Sequence, residues 1–203
     1  MTGIVDYGVG NIFSLVSSLD MIGERAVLAK NEKTLDACDR VILPGVGAFG
    51  DAKAKLDASG MGDAVLRQVK KGKNLLGICL GMQMLFDKSY EFGEHAGLGL
   101  IRGSVRPISD VIPKDLPIPH IGWNALKIKE HPLFRYVKSG DFVYFVHSYY
   151  GAECDDSVIA TTEYGAELTA AVADGNVTGV QFHPEKSGRV GLDILRAFCE
   201  MKG

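Results

Sequence analysis

The sequence lacks a long apolar run. Its longest apolar stretch, residues 75–86, is broken by Gly77, Gly81 and Gln83. It falls short of the roughly 18 residues that mark a membrane-spanning helix, so no membrane association is expected. The N-terminal residues show no basic segment ahead of a long apolar one, and no signal peptide is expected. Charge excess is missing too. The 22 Lys and Arg against 25 Asp and Glu leave a formal net charge of -3, without the basic face that neutralises nucleic-acid phosphates. Cysteine is sparse. The four, Cys38, Cys79, Cys154 and Cys199, form no CxxC pair and have no histidine spacing suited to zinc. No metal, cofactor or disulfide framework is expected, and a reducing, cytoplasmic setting is. No repeat, low-complexity tract or linker interrupts the 203 residues, a length that suits one domain, 1–203.

What is present is a rhythm of short apolar runs and helical stripes. Residues 4–6, 26–28, 41–43 and 75–78 read as buried strands. Between them, Ile12, Leu15, Val16, Leu19 and Ile22 recur at helical spacing, with Asn11 as a possible cap and Gly23 as a stop. Met61, Val65, Leu66 and Val69 give a second stripe. Met82, Leu85 and Phe86 suggest a helix directly after the fourth strand. Residues 113–119, rich in proline, read as a surface loop joining two halves. The last third reads differently. Residues 142–150 form a β-rich run, and 168–173 and 177–182 flank Asp174-Gly175-Asn176, a hairpin turn. A terminal helix carries Val190, Ile194, Ala197, Phe198 and Met201 on one face. The fold class expected is α/β, flavodoxin-like: an open mixed, mostly parallel sheet with helices on both faces and an added antiparallel portion in the C-terminal third. Such sheets bind ligands beyond the carboxyl ends of their strands.

The chemistry concentrates there. Gly77-Ile78-Cys79-Leu80-Gly81 has the G-x-nucleophile-x-G form between a strand and a helix, the setting of a nucleophile elbow. The helix N-terminus beyond would favour a thiolate, and the Leu80 N–H is placed to hold an oxyanion. The competing reading is a buried cysteine acting as a small hydrophobe. A thiol nucleophile needs a base. Of five histidines, His183 ends a strand in Gln181-Phe182-His183-Pro184-Glu185. Residues two apart in extended chain share a side, so Glu185 can orient the imidazole as a third triad member. Alone, His-Pro-Glu could be a surface ion pair. Pro44-Gly45-Val46-Gly47 after the third strand can aim free N–H groups at an oxyanion. Gln83, one turn past Cys79, shares its helix face.

These segments resemble a known family. GICLGMQ, PGVGAF and FHPEKSG are similar to the three motifs of class I glutamine amidotransferases. More narrowly, VDYGVGN, PGVGAFG, GICLGMQ, HIGWN, FVHSYY and FHPEKSG resemble the glutaminase subunits of imidazole glycerol phosphate synthase, from about residue 4 to 198. The resemblance implies Cys79 as nucleophile, His183 as base then acid, and Glu185 as orienter. It implies an oxyanion hole from Leu80 and the Val46-Gly47 peptide, and glutamine contacts from Gln83 and the Ser148-Tyr149 backbone. It implies that Trp123, Asn124, Tyr144, Lys186 and Asn11, with Ser14, face a partner. That partner is a (β/α)8-barrel cyclase which, in a heterodimer, uses the ammonia to form imidazole glycerol phosphate and AICAR from the ribonucleotide PRFAR in histidine biosynthesis. His147 is expected to be structural or interfacial. Three alternatives stand beside this reading: an ammonia donor to another synthase, a cysteine hydrolase of related elbow architecture, and a regulatory subunit with a dead site.

Overall fold

The computed structural model describes residues 1–201. The first half alternates strand and helix: β1 (Thr2–Val5), α1 (Ile12–Met21), β2 (Ala26–Ala29), α2 (Glu32–Asp36), β3 (Arg40–Gly45), α3 (Phe49–Ala58), α4 (Met61–Lys70), β4 (Asn74–Cys79) and α5 (Leu80–Gln83). Then come β5 (Phe86–Ser89), β6 (His95–Ala96), β7 (Ile101–Pro107), β8 (His120–Ile128), β9 (Phe142–His147), β10 (Tyr149–Ala152), β11 (Val158–Glu163), β12 (Glu167–Asp174), β13 (Val177–Val180) and α6 (Gly188–Glu200).

Nine strands form one sheet in the order β2-β1-β3-β4-β13-β12-β11-β8-β9. The pairings from β2 through β13 are parallel, and those from β13 to β9 are antiparallel. The mixed α/β sheet expected from the sequence is present, with parallel and antiparallel pairings equally represented. The antiparallel portion starts at β8, earlier in the chain than the last third. Gly175 and Asn176 close the β12–β13 hairpin, where Asp174 pairs with Val177.

Alternation along the parallel strands sends side chains to two cores. On one face, Val5, Val41, Leu43 and Leu75 pack with Leu35, Phe49, Leu56 and Val65 from α2, α3 and α4. On the other, Ile4, Ile42, Leu76 and Ile78 pack with Leu15, Leu19, Ile194 and Phe198 from α1 and α6. Full burial of each such side chain contributes roughly 1.5–3 kcal/mol.

Four local readings are corrected. The helix expected after β4 lasts only four residues before the chain turns into β5, because an apolar run does not by itself distinguish helix from strand. Pro44 and Gly45 extend β3 instead of ending it, registering with Ile78 and Cys79. Asn11 precedes α1, but its side chain makes no capping bond. The run 142–150 is two strands, with β9 in the large sheet and β10 in a second sheet of order β10-β7-β5-β6. That second sheet has no counterpart in the sequence reading; Phe86, Ile101 and Val105 from it join the α2–α4 core.

Candidate active site

Close backbone packing explains the glycines around Cys79. A Cβ on Gly81 would lie 1.9 Å from the Leu43 carbonyl oxygen, and one on Gly77 would lie 2.7 Å from the Gly81 carbonyl oxygen. A Cβ on Gly45 would lie 2.8 Å from the Gly81 nitrogen. Three segments therefore meet at backbone distance under the thiol. Cys79 itself has φ 55 and ψ -112, a backbone state that a residue with a side chain adopts only when its surroundings impose it. This strained turn lifts the side chain off the strand, as an elbow requires. The helix after it is too short to carry much of a macrodipole, so the charge beside the sulfur comes from a side chain instead.

That charge is His183, which is buried with its Nδ1 2.8 Å from Glu185 Oε1. Burial opposes a charged imidazole here. The interactions with Cys79 and with the Glu185 carboxylate outweigh it and raise the pKa to about 10. The site thus favours an imidazolium between a sulfur and a carboxylate. The histidine backbone is fixed as well: its N–H donates to the Tyr144 carbonyl, and its carbonyl accepts from Ser187 Oγ at 2.6 Å. Glu185 Oε2 is buried without a hydrogen-bond partner among the described residues. It sits beside a void of about 10 Å³ lined by Asn11, Pro44, Gly45 and Val46.

The thiol opens into a cleft of about 300 Å³ lined by Val46, Gly47, Leu80, Gln83, Ser148, Tyr149 and His183. Every residue singled out for the oxyanion hole and for substrate contact is thus in one place. Gly47 has φ +93, open to glycine at little cost. The strand end before it is held by Tyr7, whose hydroxyl donates to the Pro44 carbonyl at 2.8 Å. Gln83 Nε2 donates to the Tyr149 carbonyl and to Gln181 Oε1, which fixes the amide and leaves its oxygen for a ligand. A second groove, of about 680 Å³, lies between Asp87, Arg102 and Asp156 and holds none of the triad.

Three residues of this site were missed in the sequence. Gln181 links Gln83 to the nucleophile, its Nε2 lying 3.7 Å from Cys79 Sγ. Glu91 lines the cleft and accepts from the Phe49 N–H at the start of α3. Pro119 closes one wall. No sequence signal marks Glu91, Pro119 or Gln181, although Gln181 lies two residues before His183.

The residues assigned to a partner face divide into three places. Trp123 is 62% exposed and meets Tyr144 edge-on at 5.0 Å, with Lys186 Nζ 5.6 Å above the Tyr144 ring. Ile121 and Phe142 extend this exposed apolar face. Asn124 lies on β8 but on the reverse side from Trp123, bonded to the Glu163 carbonyl. Asn11 lies with Glu185 around the small void, and the neighbouring Phe13 is 84% exposed. Among the described residues, no cluster of His, Cys, Asp and Glu could hold a metal ion, and no helix is long and apolar enough to cross a membrane.

The family model of class I glutamine amidotransferases matches residues 3–201. The imidazole glycerol phosphate synthase subunit HisH of Wolinella succinogenes is 48% identical over 204 residues, covering 99% of this chain and 100% of that protein. The subunit of the same name from Aquifex aeolicus is 45% identical, covering 97% and 95%. Among solved structures, a glutamine amidotransferase superposes with a TM-score of 0.76 at 20% identity over 98% of this chain and 97% of that one, a likeness of fold. The PurLQS structure from Thermotoga maritima gives 0.73 at 22% identity, covering 98% and 96%. The chain belongs to the class I glutamine amidotransferases and, within them, to the family of HisH subunits of imidazole glycerol phosphate synthase.

Proposed function

We propose that this chain hydrolyses glutamine with Cys79, His183 and Glu185 and passes the ammonia to a cyclase subunit that builds imidazole glycerol phosphate. The observation that carries the reading is the buried His183–Glu185 pair beside a cysteine on a strained, glycine-framed elbow, with the cysteine and the histidine both lining one cleft.

Cys79 sulfur attacks the side-chain amide carbon of glutamine, its proton having passed to His183. The Leu80 N–H and the Val46-Gly47 peptide hold the tetrahedral oxyanion. His183 returns the proton to the nitrogen as ammonia leaves, giving a glutamyl thioester. Water, deprotonated by His183, then releases glutamate. Glu185 holds the imidazole in place and balances its charge. Gln83, through its free amide oxygen, and the Ser148-Tyr149 segment orient the substrate. Glu91, a carboxylate in the cleft outside the triad, suits the α-ammonium of an amino acid.

Ammonia released to water at neutral pH becomes ammonium, which is no nucleophile. A cyclase docked over the cleft removes that loss. The exposed face of Trp123, Tyr144, Phe142 and Lys186 suits such docking in a heterodimer, because interfaces are anchored by aromatic side chains. Tyr144 bonds directly to the His183 backbone, so contact there lies one residue from the triad. The chain is read as a single domain, 1–203, working in the cytoplasm.

Replacing Cys79 with Ala tests the division of labour. Glutamine-dependent synthesis by the complex should disappear while synthesis from added ammonium persists. Loss of both would contradict the assignment.

A further inference from the structure

Two buried histidines lie next to the cleft and take no part in the triad chemistry. His147 and His120 face each other across β9 and β8, with His120 Nδ1 3.0 Å from His147 Nε2. His147 Nδ1 lies 2.8 Å from the Tyr149 carbonyl oxygen. At the far end, Asn124 Nδ2 lies 3.4 Å from His120 Nε2 and also donates to the Glu163 carbonyl. His120 is clamped between rings, with Tyr164 stacked at 4.1 Å and Phe145 at 5.0 Å.

The proton order of this chain is fixed from both ends. The Tyr149 carbonyl only accepts, so His147 Nδ1 carries a hydrogen. A neutral His147 then has a lone pair on Nε2, which must accept from His120 Nδ1–H. His120 Nε2 is left to accept from Asn124. Independently, Asn124 Oδ1 accepts from the Ala125 N–H at 2.8 Å, which turns its amide nitrogen toward His120. Both ends dictate the same direction. A second proton on either ring would set two N–H groups against each other. Burial acts the same way, holding both imidazoles down at about 4, far from charging at neutral pH.

The relay ends on an atom of the cleft. The Tyr149 carbonyl accepts at once from His147 and from Gln83, and Gln83 is tied to Gln181. We propose that His147 and His120 are positioning residues: as a one-way relay from Asn124 to the Tyr149 carbonyl, they hold the Tyr149 peptide and the Gln83 amide in the geometry that binds the substrate's amino-acid end. The relay rests on the glutaminase reading for its substrate, but its proton order does not.

Two measurements test it. In the full chain with histidine labelled by ¹⁵N, long-range ¹H–¹⁵N correlation at neutral pH should show His120 and His147 both neutral with the hydrogen on Nδ1. A hydrogen on Nε2 of either ring, or a charged ring, overturns the proposal. In the full chain with the cyclase subunit added, His147→Asn retains a donor near the Nδ1 position, whereas His147→Gln places its amide near Nε2. His147→Asn should keep KM for glutamine within about twofold, and His147→Gln should raise it about tenfold with little change in kcat. Equal KM for the two variants, or a loss confined to kcat, overturns the positioning role. If neither variant folds, the tautomers in the native chain still decide. Absence of glutamine turnover in the native complex would instead remove the glutaminase reading and leave the relay to the tautomers alone.

Discussion

His183 Nδ1 and Glu185 Oε1 stand 2.8 Å apart with both side chains almost wholly withdrawn from solvent. A carboxylate so placed is a counter-charge for the His183 imidazolium. Glu185→Gln keeps the shape and removes the charge. The expected result is a fall in kcat for glutamine of about 10²–10⁴, by analogy of role with the acid of a serine triad. Steady-state glutaminase assays of the complex would check it; a loss below about threefold would show that orientation without charge suffices.

The same pair makes stability depend on pH. The folded chain holds the His183 proton up to about 10, against 6.5 for a free imidazole. The stabilisation is fully present below about pH 6.5 and is lost as pH rises toward 10. Urea midpoints should therefore fall across that interval more steeply in the native chain than in Glu185→Gln. Parallel slopes would mean that Cys79, and not Glu185, holds the His183 proton.

The elbow has no room for a methyl group at Gly81. In Gly81→Ala the new carbon would lie 1.9 Å from the Leu43 carbonyl oxygen, so β3 and α5 must move apart. Destabilisation of about 1–3 kcal/mol or more is expected, together with loss of glutamine hydrolysis. Gly72→Ala is the contrast. That site is sterically open but has φ +86, and the left-handed conformation should cost about 1–2 kcal/mol with activity retained. Denaturant titration and activity of both variants separate steric from conformational strain.

Tyr7 holds the strand end that precedes Val46 and Gly47. Tyr7→Phe leaves the Pro44 carbonyl without its donor and should cost about 1–3 kcal/mol. If the Val46-Gly47 peptide switches between an orientation that holds the oxyanion and one that does not, freeing its anchor should raise basal glutaminase activity. The fold-stimulation by the liganded cyclase should fall. Assays with and without the cyclase read both, and an unchanged ratio would rule out a switch in this loop.

Much of the site could be read from local pattern. Gly77, Cys79 and Gly81 are legible because the steric demand of an elbow acts within five residues of chain. His183 and Glu185 are legible because extended chain puts alternate residues on one side. Gln181 was not, because its role depends on pairing between β13 and β4, where Val180 registers with Ile78 and so carries Gln181 alongside Cys79. Glu91 reaches the cleft only through the packing of a loop against α3. The parallel half of the sheet showed through its continuous apolar strands. The second sheet did not, because β5 and β6 are short and Phe86 continues an apolar run that fits a helix equally well. The four-residue α5 is too short to place a helix-end field at Cys79, which leaves His183 as the charge beside it.

The β8–β9 ribbon carries unlike duties on its two sides. Ile121, Trp123, Phe142 and Tyr144 point outward, while His120, Phe145 and His147 point inward. Register in a strand has a period of two, so losing one residue turns every later side chain over. A single deletion between His120 and Trp123 would put both on one side, bringing the indole indoors or expelling the imidazole, unless the ribbon bulged. Drift by substitution should therefore be far easier for this ribbon than any change in its length.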